Sequence, residues 1–118
     1  MINQLEIPMY IEEALPEISE SMILDMYVNA YKVMNDLSAF TCKNIQTHNY
    51  GVVKRCFILA DQLYCKGNDA VKNAIENVFI YSFTNMLQLY KDDKKKILAI
   101  IPITLYSIYI TQVQKAGC

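Results

Sequence analysis

Glycine and proline are scarce, three of each in 118 residues, and an all-β fold needs more turns than they supply. Charge is scarce as well. Only 19% of residues are Asp, Glu, Lys or Arg while 53% are hydrophobic, a balance that excludes a disordered chain. Histidine occurs once, as His48, and the four cysteines (Cys42, Cys56, Cys65 and Cys118) include no C-x-x-C pair. Neither a zinc site nor a disulfide framework is suggested by that spacing. Cys56 and Cys65, nine residues apart on one predicted helix, fall on its opposite faces. No Gly-rich phosphate loop, H-E-x-x-H or G-x-S-x-G occurs, and with them go the commonest signatures of phosphate, zinc and serine chemistry. The opening Met-Ile-Asn-Gln-Leu-Glu is not a charged-then-apolar leader. The expectation is a cytoplasmic protein with reduced thiols, without cofactor or metal.

What is present is helical periodicity. Across residues 50–66, Val53, Cys56, Phe57, Ala60, Leu63 and Tyr64 recur at three- and four-residue spacing, which gathers them on one face. Gly67 is expected to end that helix in the left-handed conformation, and Asn68 to cap the next. Beyond the cap, Val71, Ala74, Ile75, Val78, Phe79, Ser82, Phe83 and Met86 form a second, wider apolar face. A connection this short makes the pair an antiparallel αα-hairpin, and the rest of the chain is organised around it.

In front of the hairpin, Asn3 and Glu6 have the spacing of a capping box. A short helix is predicted over residues 4–15, with Leu5, Met9, Ile11 and Leu15 inward and Pro16 as its stop. Ser21 caps a second predicted helix, over residues 22–41, with Ile23, Met26, Tyr27, Ala30, Tyr31, Val33, Met34, Leu37 and Phe40 as its apolar positions. Residues 41–49 lose the period and read as the longest loop. Behind the hairpin, Asp92 and Asp93 open a last helical segment. Residues 97–110 are apolar nearly all round, which predicts a central helix kinked or broken at Pro102, with Gly117 at its end. The expectation is a single all-α domain over residues 1–118. It has about five helices, packed as antiparallel hairpins in an irregular bundle or short solenoid-like array.

Charge is unevenly placed. Residues 1–40 carry seven acids against one base, a net −6, and residues 41–118 carry ten bases against five acids, a net +5. Glu12, Glu13, Glu17, Glu20 and Asp25 crowd together with no base among them, a patch suited to steering a basic partner, although surface solubility alone accounts for it as well. Asn73, Asn77, Thr84 and Gln88, flanked by Tyr81 and Asn85, form one polar stripe. Uncharged amides beside tyrosine suit adaptable protein contacts, or the water-facing side of a core helix. Lys94-Lys95-Lys96 is too isolated for nucleic-acid binding. Residues 97–114 lack charge but contain Pro102, Thr104, Ser107, Thr111, Gln112 and Gln114, a poor membrane span. Cys42 with His48, or Asp61 with Glu76, would be the places to look for catalysis. A solvated loop histidine, and a surface pairing of Asp61 with Lys72 or Asn73, are the simpler readings.

Cys56-Phe57, Ala60-Asp61, Leu63, Gly67-Asn68, Val71 and residues 74–79, with Pro102, Leu105 and Tyr109 near the end, resemble an uncharacterised family of small all-helical bacterial proteins. The resemblance implies the fold and a bacterial cytoplasmic setting, and no catalytic residue. Some small helical families of this kind resemble immunity proteins, which neutralise toxins delivered between bacteria. Within the same phrase, Glu76 stands at the border of the apolar arc, where its carboxylate can hold the hairpin through a backbone or tyrosine partner.

The resulting expectation is a non-enzymatic protein-binding protein, an immunity-type inhibitor that occludes a basic toxin. Its contact residues would be Glu12, Glu13, Glu17, Glu20, Asp25, Asn73, Asn77 and Tyr81. A small enzyme or ligand-binding helical domain is the alternative, and a peripheral membrane protein a third. Neither nucleic acid nor stable membrane insertion is expected. Spare apolar surface on the last helix would serve a homodimer as well as a core.

Overall fold

A computed structural model describes residues 1–16 and 30–116. Among them every regular element is helical. A 3-10 turn, Gln4–Glu6, leads into α1 (Ile7–Ala14). The capping box forms: the Leu5 N–H donates to Asn3 Oδ1 at 2.9 Å, and the Asn3 N–H to Glu6 Oε1 at 3.2 Å. The inward residues of α1 agree with expectation in part. Ile11 and Leu15 are buried as expected, with Ile7 at the same four-residue spacing, while Leu5 and Met9 are exposed; Met9 is two residues from both Ile7 and Ile11 and so points to the other side of the helix.

Helix α2 is described over Ala30–Gln46, five residues past the predicted end. Val33, Met34, Leu37, Thr41 and Ile45 are all buried, and the buried Ser38 and Thr41 hydroxyls donate to the carbonyls four residues back. Polar side chains with such local partners do not break a helix. The loop of residues 41–49 therefore shrinks to three residues. Tyr31, expected inward, is exposed. Ser21, Ile23, Met26 and Tyr27 lie outside the described residues, as does Gly117. The end of α2 is a Schellman turn, with the Asn49 N–H on the Asn44 carbonyl (2.8 Å) and the His48 N–H on the Ile45 carbonyl (3.0 Å). Its left-handed position belongs to His48, at φ 59°.

The hairpin forms as expected: α3 (Tyr50–Lys66) returns through Gly67 and Asn68 into α4 (Asp69–Ala74), a π-helical segment (Ile75–Ile80) and α5 (Tyr81–Leu89), one continuous rod. Asn68 caps it, accepting from the Val71 N–H at 3.1 Å. Gly67 is not left-handed but extended, at φ −78° and ψ 157°. Ile2 lies alongside, donating to the Lys66 carbonyl at 2.7 Å and accepting from the Asn68 N–H at 2.8 Å. Glycine is needed there for space, since a Cβ would meet the Leu63 carbonyl and come within 2.6 Å of Val71 Cγ1.

After a 3-10 turn at Lys91–Asp93, α6 (Lys94–Ile100) and α7 (Ile103–Ala116) are separated at Ile101 and Pro102, the break expected from proline's missing donor. The expectation of a central C-terminal helix is corrected. Ile97, Leu105 and Tyr109 are buried, but Ile103 is 80% exposed, so α6 and α7 cover the hairpin from outside. The core lies instead between α2, α3 and the π-containing rod. Phe57 packs edge-on against Phe79 and Phe83, at 6.3 and 5.3 Å between ring centres, and Phe83 against Tyr109 at 5.6 Å.

Candidate functional site

A π turn takes one more residue than an α turn, so downstream side chains swing back by about 100°. Phe79 and Ile80 are both buried, as are Met86 and Leu87. Glu76 and Asn77 sit on the outer side of this segment, facing α7. Between the two elements runs an open groove of about 720 Å³, bounded by Tyr64, Glu76, Asn77 and Tyr81 on one side and by Ser107, Ile108, Thr111, Gln112 and Lys115 on the other.

Its floor is held by two bonds. The Tyr64 hydroxyl donates to Glu76 Oε1 at 2.7 Å, joining α3 to the π segment, and Gln112 Nε2 donates to the Glu76 carbonyl at 2.7 Å, joining α7. Glu76 thus holds the hairpin through a tyrosine, the arrangement foreseen for it. The bond to Glu76, aided by burial and by the negative charge of the carboxylate, pushes the Tyr64 phenol up to about 12. Gln112 Oε1 is buried without a partner. Asn77 Nδ2 reaches the Tyr31 hydroxyl at 3.4 Å, and Tyr81 is 60% exposed at the edge.

Of the expected contact residues, the structure brings Asn77 and Tyr81 together in this groove. Asn73 is exposed but is not part of the lining. Glu12 and Glu13 are exposed on α1, away from the groove walls, and Glu17, Glu20 and Asp25 lie outside the described residues. The polar stripe is divided: Thr84 and Gln88 line a smaller hollow beside Lys91, Lys94 and Tyr109. Sequence reasoning missed the α7 wall. Ser107, Thr111, Gln112 and Lys115 recur at helical spacing on one face, a signal obscured by the surrounding apolar run.

The residues considered for catalysis have separate surroundings. Cys42 is half-buried beside Phe79, Phe83 and Met86, and burial pushes its thiol up, away from the thiolate a nucleophile requires. His48 Nδ1 lies 3.2 Å from the Tyr50 hydroxyl, which donates to Asp93 Oδ1 at 2.6 Å; that bond raises the Tyr50 phenol above its ordinary value. Asp61 is 4.0 Å from Cys65 Sγ, and Lys72, proposed for it, lies over the Tyr64 ring instead. Among the described residues no three of His, Cys, Asp and Glu converge as metal ligands would, and no helix is long and apolar enough to cross a membrane.

No curated protein and no solved structure matches the chain. A family model does match residues 8–115, nearly the whole chain. By that match the chain belongs to the family described as domain of unknown function DUF7674.

Proposed function

We propose that the protein is a non-enzymatic binding protein, an immunity-type bacterial inhibitor that covers a basic toxin. The observation that carries this reading is the groove between the π segment and α7. Amides and an exposed tyrosine surround its single carboxylate, a composition suited to protein contact. π turns also occur disproportionately at functional sites. Occlusion requires only a complementary surface, which accords with the separate surroundings of Cys42, His48 and Asp61. The exposed Glu12 and Glu13 on α1 would steer the basic partner's approach.

A small-ligand-binding helical domain is the second reading, favoured by a groove volume within the usual range for ligand sites. Affinity purification of the tagged chain from its own cells separates the two. One basic protein retained in equimolar amount through moderate salt is the expected result. Recovery of the chain alone would overturn the inhibitor reading.

A further inference from the structure

Around Glu76 and along α7 the groove offers mainly hydrogen-bond acceptors, with donors from Asn77, Tyr81 and Lys115 at its sides. Ser107 Oγ donates to the Ile103 carbonyl at 3.0 Å and Thr111 Oγ1 to the Ser107 carbonyl at 2.9 Å. Each hydroxyl therefore has its proton committed and offers lone pairs alone. The Tyr64 hydroxyl proton goes to Glu76, and the Gln112 amide donates to the Glu76 carbonyl. Gln112 Oε1 is left buried and unpartnered, a costly state for an amide oxygen. The Glu76 carboxylate and two hydroxyl oxygens thus line the groove as acceptors, beside the donors of Asn77, Tyr81 and Lys115.

We propose that this groove seats an arginine side chain presented by the partner, an inference that rests on the protein-binding reading above. A guanidinium has five N–H donors in one plane and no acceptor, which suits the Glu76 carboxylate and the two hydroxyl oxygens. It can pair with the Glu76 carboxylate. The exposed Tyr81 ring offers it a face. The Lys72 ammonium, 5.8 Å from the Tyr64 ring centre, shows that a cation is accommodated beside this wall. An anion would meet Glu76, and an apolar group would leave the acceptors dry. Lys115, exposed on α7, opposes the guest's charge from the rim and limits affinity.

The probes are acetyl-arginine amide and its citrulline counterpart, an uncharged isostere, titrated into isotope-labelled full-length protein and followed by NMR. Arginine should give saturable shifts at the amides of Glu76, Asn77, Thr111 and Gln112, and citrulline none. Glu76→Gln should weaken arginine binding about tenfold or more, and Lys115→Gln should strengthen it about twofold. Absence of saturable shifts, equal response to citrulline, or unchanged affinity in Glu76→Gln would overturn the proposal. Should Glu76→Gln fail to fold, the exposed Lys115→Gln decides, since unchanged or weaker binding contradicts it. Arginine binding without any protein partner would remove the inhibitor reading and leave the groove's selectivity intact. A protein partner that arginine amide does not compete with would do the reverse.

Discussion

His48 holds a left-handed backbone position at φ 59°, which costs a side-chain-bearing residue about 1–2 kcal/mol, partly offset by glycine's greater freedom when unfolded. His48→Gly should therefore raise stability by about 0.5–1 kcal/mol, read as a higher urea midpoint at unchanged slope; a lower midpoint would contradict the assignment. Gly67 is the opposite case. Its dihedrals suit any residue, but no Cβ fits between Leu63 and Val71, so Gly67→Ala should cost about 1–3 kcal/mol in the same measurement. Tyr64 carries a pH dependence. Its phenol rises from 10.0 to about 12 on folding, so the folded chain keeps the proton longer than the unfolded one. The stabilisation is complete below pH 10 and is lost as pH rises toward about 12. Stability should fall more steeply across that window in the parent than in Tyr64→Phe, and parallel curves would exclude the linkage. At this scale Asn3 and Asn68 were legible as caps because capping is local chemistry. The role of Gly67 was not, because it depends on how closely the Leu63 carbonyl and the Val71 side chain approach in the folded turn.

The helices were legible where apolar spacing was regular, and less so where another element decides which face is covered. The hairpin of α3 and the π-containing rod follows from period alone. Residues 97–110 look central by composition, yet packing uses one side of them. Leu105→Ala should accordingly cost about 2–4 kcal/mol, whereas Ile103→Ala, at a position 80% exposed, should stay within about 0.5 kcal/mol. Comparable losses at both positions would restore the central helix. The π segment left no mark in the sequence pattern, because one extra residue in a turn resembles a merely wider apolar face. Half of the candidate site was hidden for a related reason: Ser107, Thr111 and Gln112 sit in an apolar run and become a wall only when α7 is laid beside Glu76.

For the molecule as a whole, the proposed inhibitor reading divides the work of recognition between charge and shape, at two places. On that proposal Glu12 and Glu13 on α1 would act at a distance. Reversing both to Lys should slow association with a basic partner about tenfold at low salt and flatten its salt dependence, while dissociation changes little. The groove would act on contact, so its variants should change dissociation instead. Asn77→Ala with Tyr81→Ala, both at exposed positions, tests that division without disturbing the buried core. The most direct measurement is parallel affinity purification of the tagged parent and this double variant from the native cells, with quantified recovery of co-purifying proteins. The parent should retain one basic protein in equimolar amount, and the double variant should lose most of it while melting at an unchanged temperature. Equal recovery by both, or a chain that emerges alone, would contradict the groove as a protein-docking site.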